Sequence, residues 1–149
     1  MTGSNHVVAG ALIATVVPQP AAAVPLALAS HFVMDALPHY GDNNKHSWLN
    51  RHFHYVLIVD AIIATSFVAG IIALQPANWA LLVACSLVAV LPDVIWLPYY
   101  IADLKQQLKP HGAFARFSKW IQWGERPWGI YVEAVVLVGL LATFVNRVW

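Results

Sequence analysis

Apolar residues in this chain run in long blocks, separated by short polar or proline-bearing gaps. A first block covers about His6 to Val17, preceded by Ser4 or Asn5 as a candidate N-cap, and stops at Pro18-Gln19-Pro20. A second covers Ala21 to His39, a third about His52 to Leu74, and a fourth Ala77 to about Ile101. The fifth begins near Pro127, a favoured first-turn residue, and continues to about Val145. Blocks of this length read as helices, and ~20 apolar residues are what a helix needs to cross the ~30 Å hydrocarbon core of a bilayer. With roughly a dozen residues, the first block is short of that length and is expected to be a short or re-entrant helix. Pro25 is tolerable in the first turns of the second block, whereas Pro92 and Pro98 inside the fourth predict a kink or a break. Between the fourth and fifth blocks, Phe114, Phe117, Trp120 and Ile121 fall at helical spacing opposite Arg116, Lys119 and Gln122. That is the pattern of an amphipathic helix lying among lipid headgroups. The expected fold is all-α: one integral membrane domain over residues 1–149, a bundle of about five helices with the first one short, and an interfacial helix before the last.

Composition agrees with the block pattern. The sequence is 60% hydrophobic and only 10% charged, where a soluble domain carries about a quarter charged residues. A net charge of +1 gives no electrostatic reason to expect nucleic acid. Cys85 is the single cysteine, so there is no disulfide framework to read. Residues Met1 to Asn5 lack a basic stretch and no signal-peptide cleavage site is visible, so the first block is expected to stay in the mature protein. If all five blocks cross, Lys45, Arg51, Lys105, Lys109, Arg116, Lys119 and Arg126 share the side of the N-terminus and only Arg147 lies opposite. The positive-inside rule then makes the N-terminus cytoplasmic.

The ionisable residues within the apolar blocks are few and placed alike. His31, Asp35 and His39 recur every four residues, which on a continuous helix confines them to an arc of roughly 80°. His6 opens the first block, Asp60 lies near the start of the third, Asp93 follows Pro92 near the end of the fourth, and Glu133 lies about two turns into the fifth. With alternating helix directions, the four acids Asp35, Asp60, Asp93 and Glu133 fall on the order of 6–15 Å below the same boundary. Four carboxylates in low dielectric need protonation, hydration or counter-charge, and the apolar blocks hold no lysine or arginine beside them. The accompanying histidines favour divalent cations, with imidazole pointing to zinc, manganese or iron. The set is large enough for one or two ions, and two about 3.5–4 Å apart suit displacement at phosphorus.

Three pieces of the chain, His6-Val7-Val8-Ala9-Gly10, the block from Ser30-His31 to Pro38-His39, and Leu91-Pro92-Asp93, resemble the small bacterial inner-membrane-associated metal-dependent hydrolases. The resemblance covers about the first hundred residues. It implies His6, His31, Asp35, His39 and Asp93 as metal ligands, a bacterial inner (plasma) membrane location, and hydrolysis of an unstated substrate. The site's depth adds that the substrate is a membrane lipid or lipid-linked molecule, cleaved at a phosphoester or diphosphate on the cytoplasmic side. Glu133 and Asp60, outside the ligand set, are the candidates for general base. The alternative is a membrane transporter or binding protein for a metal ion or small solute, using the same histidines and acids.

Overall fold

A computed structural model describes residues 1–41, 51–104 and 112–149. Its chain order is α1 (Gly3–Val16), α2 (Pro20–Asp35), β1 (His39–Tyr40), α3 (Arg51–Leu74), α4 (Trp79–Leu104), α5 (Ala113–Ile121), a short 3-10 turn (Gln122–Gly124), β2 (Glu125–Arg126) and α6 (Gly129–Val148). The fold is an all-α bundle, and α3, α6 and the Trp79–Leu97 part of α4 are long and apolar enough to cross a membrane. The helix expected before the last one is α5, and its Phe117 and Trp120 are exposed, as are Trp123 and Trp128 that follow it. Exposed aromatic rings clustered at one end are what an interfacial position produces.

Helix α1 is the axis of the bundle. It packs against α2, α3, α4 and α6, most extensively against α4, and every residue from Ser4 to Ala11 is buried. A helix apolar all round belongs inside, and this one can be short because it is enclosed by longer neighbours. Its contacts are made by small residues. Ala11, Ala14, Ala23, Ala27, Cys85 and Ala89 form the core with Val8, Leu82, Ile71 and Phe144. At Gly10 a side chain would collide with the Cys85 carbonyl and the Ala89 methyl, so the α1 and α4 backbones approach as closely as small-residue membrane interfaces allow. Ser86 closes the same seam by donating from Oγ to the Val7 carbonyl at 2.9 Å.

Of the kink or break expected in α4, the break does not occur, since the helix is continuous through Pro92 and Pro98. One expectation is corrected: α2 ends at Asp35, and His39 lies in β1, not on the helical face shared by His31 and Asp35. The cause is Pro38, which disfavours helical geometry at Leu37 and brings no N–H to continue the ladder. Strand β1 pairs in parallel with β2, His39 opposite Glu125 and Tyr40 opposite Arg126. Gly129 lets this clip lie against the start of α6, because a Cβ there would overlap the backbone of His39.

Candidate metal centre and the acids around helix α1

The start of α1, the end of α2, the Pro92 region of α4 and the starts of α3 and α6 all meet at one end of the bundle. His6, on the second turn of α1, is fully buried, and its ring stacks on that of His31 with centroids 4.1 Å apart. Both rings turn Nε2 toward the same two carboxylates. Asp35 Oδ1 lies 3.1 Å from His6 Nε2, and Asp35 Oδ2 lies 3.2 Å from His31 Nε2. Asp93 stands slightly farther off, at 3.9 Å from His6 and 3.8 Å from His31. His6, His31 and Asp93 each present a donor atom within 4.8 Å of the others. Around a four-coordinate ion with bonds of ~2.0–2.2 Å, neighbouring donors lie roughly 3.3 Å apart, so the group needs only a small contraction to close on one.

The protonation pattern explains why a cation suits this place. His31 Nδ1 is 2.9 Å from the carbonyl oxygen of Ala89. A carbonyl only accepts, so Nδ1 carries a proton. In a neutral ring that leaves Nε2 as a lone pair aimed at the oxygens of Asp35 and Asp93. Lone pair against carboxylate is repulsive unless a proton or a metal ion lies between them. The carbonyl that sets this arrangement sits one turn before Asp93 on α4. Asp35 Oδ1 also pairs with the amino group of Met1, so the described structure already brings a cation to one side of the cluster.

The two acids expected to supply a base are engaged elsewhere. Asp60, on α3, accepts from the backbone N–H of Gly3 at 2.8 Å through Oδ2 and of Ser4 at 2.9 Å through Oδ1. Glu133, on α6, accepts through Oε1 from the N–H of Thr2 at 3.0 Å and of Tyr40 at 3.3 Å. The first amides of a helix have no partner within it and carry its positive end. Thr2 occupies the N-cap position without a side-chain cap, and carboxylates from two other helices do that work instead. Asn5 adds a further tie, donating from Nδ2 to Thr2 Oγ1 at 2.8 Å and to the Glu133 carbonyl at 3.3 Å. Sequence reading offered Asn5 only as an N-cap.

Of the expected ligands, His6, His31, Asp35 and Asp93 come together and His39 does not join them. His39 is buried, and its Nδ1 lies 2.8 Å from the Leu37 carbonyl, a contact inside its own turn. Burial, reinforced by the Met1 ammonium, lowers its pKa below the ordinary value of 6.5. Across the strand pair, burial raises the pKa of Glu125. Lys45, Lys105 and Lys109 of the expected basic face lie outside the described residues, while Arg116 is exposed on α5.

Compared with protein-family models, with curated proteins and with solved structures, the chain matches none.

Proposed function

We propose that this chain is a membrane-embedded, metal-dependent hydrolase that cleaves a phosphoester or diphosphate of a membrane lipid. The observation that carries the reading is the convergence of His6, His31 and Asp93 within 4.8 Å, with a protonated His31 Nδ1 leaving its other nitrogen to face carboxylates. Two imidazoles and a carboxylate are the donor set of catalytic zinc sites that keep a position open for water or substrate. A divalent ion bound there supplies Lewis acidity at phosphorus-bound oxygen and lowers the pKa of a bound water.

The side chains divide the remaining work. Asp35 lies within 3.2 Å of the same two nitrogens, which makes it a further oxygen donor to an ion bound there or the acceptor of a proton from that ion's water. Asp60 and Glu133, with three oxygens on backbone amides, fix the start of α1 and with it His6. Asp93 retains 40% side-chain exposure, which gives substrate a way to the cluster. Arg116 and the neighbouring aromatic residues of α5 suit an anionic headgroup at the same end. The orientation that fits is N-terminus cytoplasmic in a bacterial inner membrane.

Elemental analysis of the detergent-purified protein, paired with phosphate release from lipid phosphates and diphosphates, tests the reading. The expectation is about one to two zinc, manganese or iron ions per chain and turnover that chelation abolishes. Bound metal with no phosphate release from any lipid would replace hydrolysis with transport or storage of the ion. No metal in the wild-type protein would end both readings.

A further inference from the structure

The two carboxylates of the metal centre address the two imidazoles in the same way, one oxygen to each ring. Asp35 turns Oδ1 to His6 Nε2 at 3.1 Å and Oδ2 to His31 Nε2 at 3.2 Å. Asp93 repeats the pattern at longer range, with Oδ2 3.9 Å from His6 Nε2 and Oδ1 3.8 Å from His31 Nε2. His6 and His31 belong to different helices, so no local spacing imposes this matched arrangement. Their rings lie 29° from parallel with centroids 4.1 Å apart. An imidazole lone pair lies in the plane of its ring, so the stack holds the two Nε2 lone pairs side by side.

Each ring with its nearer carboxylate oxygens therefore makes a set of three donors. One is His6 Nε2, Asp35 Oδ1 and Asp93 Oδ2, and the other is His31 Nε2, Asp35 Oδ2 and Asp93 Oδ1. Neighbouring donors on a four-coordinate ion lie roughly 3.3 Å apart. The Asp35 contacts already match that spacing, and Asp93 has a fraction of an ångström to close. A single ion shared by both rings would leave one oxygen of each carboxylate unused and draw both lone pairs out of the stack. Two ions use all four oxygens where they lie, and paired catalytic ions stand about 3.5–4 Å apart, close to the spacing of the rings.

We propose that the cluster holds two divalent ions, one on His6 Nε2 and one on His31 Nε2, with Asp35 and Asp93 each bridging the pair through their two oxygens. This rests on the metal-dependent reading above and adds the number of ions and the ligands of each. A pair of ions can hold both the attacking and the leaving oxygen of an in-line displacement at phosphorus. The two halves are unequal. His31 Nδ1 donates to the Ala89 carbonyl at 2.9 Å, which leaves Nε2 ready for an ion. His6 Nδ1 is buried with no hydrogen-bond partner among the described residues, yet it carries the proton once a neutral His6 binds through Nε2. Asp35 Oδ1, on the same side, also meets the Met1 amino group. The His31 side fills first, and the His6 side binds on the order of tenfold or more weaker, on carboxylates the first ion has positioned.

The experiment counts ions and asks whether they sense each other. Metal-free wild-type protein in detergent is titrated with manganese(II) and followed by electron paramagnetic resonance, in which the hyperfine splitting halves when two manganese ions couple through bridging carboxylates. The expected result is about two ions per chain, the first uncoupled and the second bringing in the coupled spectrum. His6→Gln should retain about one ion with the uncoupled spectrum, and His31→Ala should lose both at the same manganese concentration. The wild-type titration decides the matter even if a variant fails to fold. One uncoupled ion at saturation, or metal loss in a folded His6→Gln as deep as in His31→Ala, overturns the pair and leaves the hydrolase reading with a single ion. No bound manganese overturns the pair as well. A coupled pair in a protein that releases no phosphate from any lipid upholds the pair and overturns the hydrolase reading instead.

Discussion

The start of α1 has acids on two sides, and the two sides hold them differently. Asp60 and Glu133 face backbone amides, which are neutral, oriented and already positive at a helix N-terminus. Asp35 and Asp93 face imidazole nitrogens, one of which must present a lone pair if its ring is neutral. The first arrangement is complete with protein atoms alone at three of its four oxygens. The second would be completed by a proton or a cation between nitrogen and oxygen. Buried acids at the same depth, indistinguishable by residue type, thus divide into a structural set and a candidate metal-binding set according to what their oxygens meet.

That division can be broken most sharply by metal content. His31→Ala and Asp93→Asn should lower bound metal at least tenfold, because a three-residue donor set loses one member. Asp60→Asn should leave it within about twofold, its effect reaching His6 only through the position of α1. Metal loss in the Asp60 variant as deep as in the Asp93 variant would merge the two sets. Asp60→Ala tests the other side, since it strips the amides of Gly3 and Ser4 of their acceptor at once. A loss of about 2–4 kcal/mol is expected from two orphaned donors, read by reversible unfolding in mixed micelles. Asp60→Asn, whose side-chain carbonyl still accepts, should lose about half as much.

Chelation separates the regions by a smaller effect. Removing an ion held at ~100 times its dissociation constant costs about 2.7 kcal/mol at most, so the wild-type melting temperature should fall on adding chelator. That of His31→Ala should stay unchanged. The smallest effect is a pH dependence outside both sets. The folded protein lowers the His39 pKa below 6.5, so between those two values the unfolded chain binds a proton that the fold resists. Stability from this group is full above pH 6.5 and declines as pH falls through it. His39→Gln should flatten that part of the curve, and an unchanged slope would show that His39 does not cause it.

Much of this is legible in the sequence. The apolar blocks gave α1, α3, α4 and α6 to within a few residues, because a hydrocarbon environment leaves a strong signal in composition. His6, His31, Asp35 and Asp93 were legible because ionisable groups inside such blocks are too costly to be incidental. His39 was misplaced because four-residue spacing was extended through Pro38, where the helix cannot continue. The pairing of residues 39–40 with 125–126 left no trace, since two-residue strands have no periodicity to read. The roles of Asp60 and Glu133 were hidden for a different reason. Whether a carboxylate meets an amide or a ligand depends on where the first turn of α1 ends up, which is a property of the assembled bundle. Asn5 was hidden in the same way.

The caps of α1 also impose an order on synthesis. The acceptor for the Gly3 amide lies 57 residues down the chain and the acceptor for Thr2 lies 131 residues down. During translation α1 leaves the ribosome before α3 and α6, and until they follow its leading amides lack the oxygens of Asp60 and Glu133. A helix of 14 residues cannot span the bilayer alone while it waits. The central element of the mature bundle is therefore the last to be fully enclosed, and a chain halted before Glu133 should expose α1 to quality-control proteases.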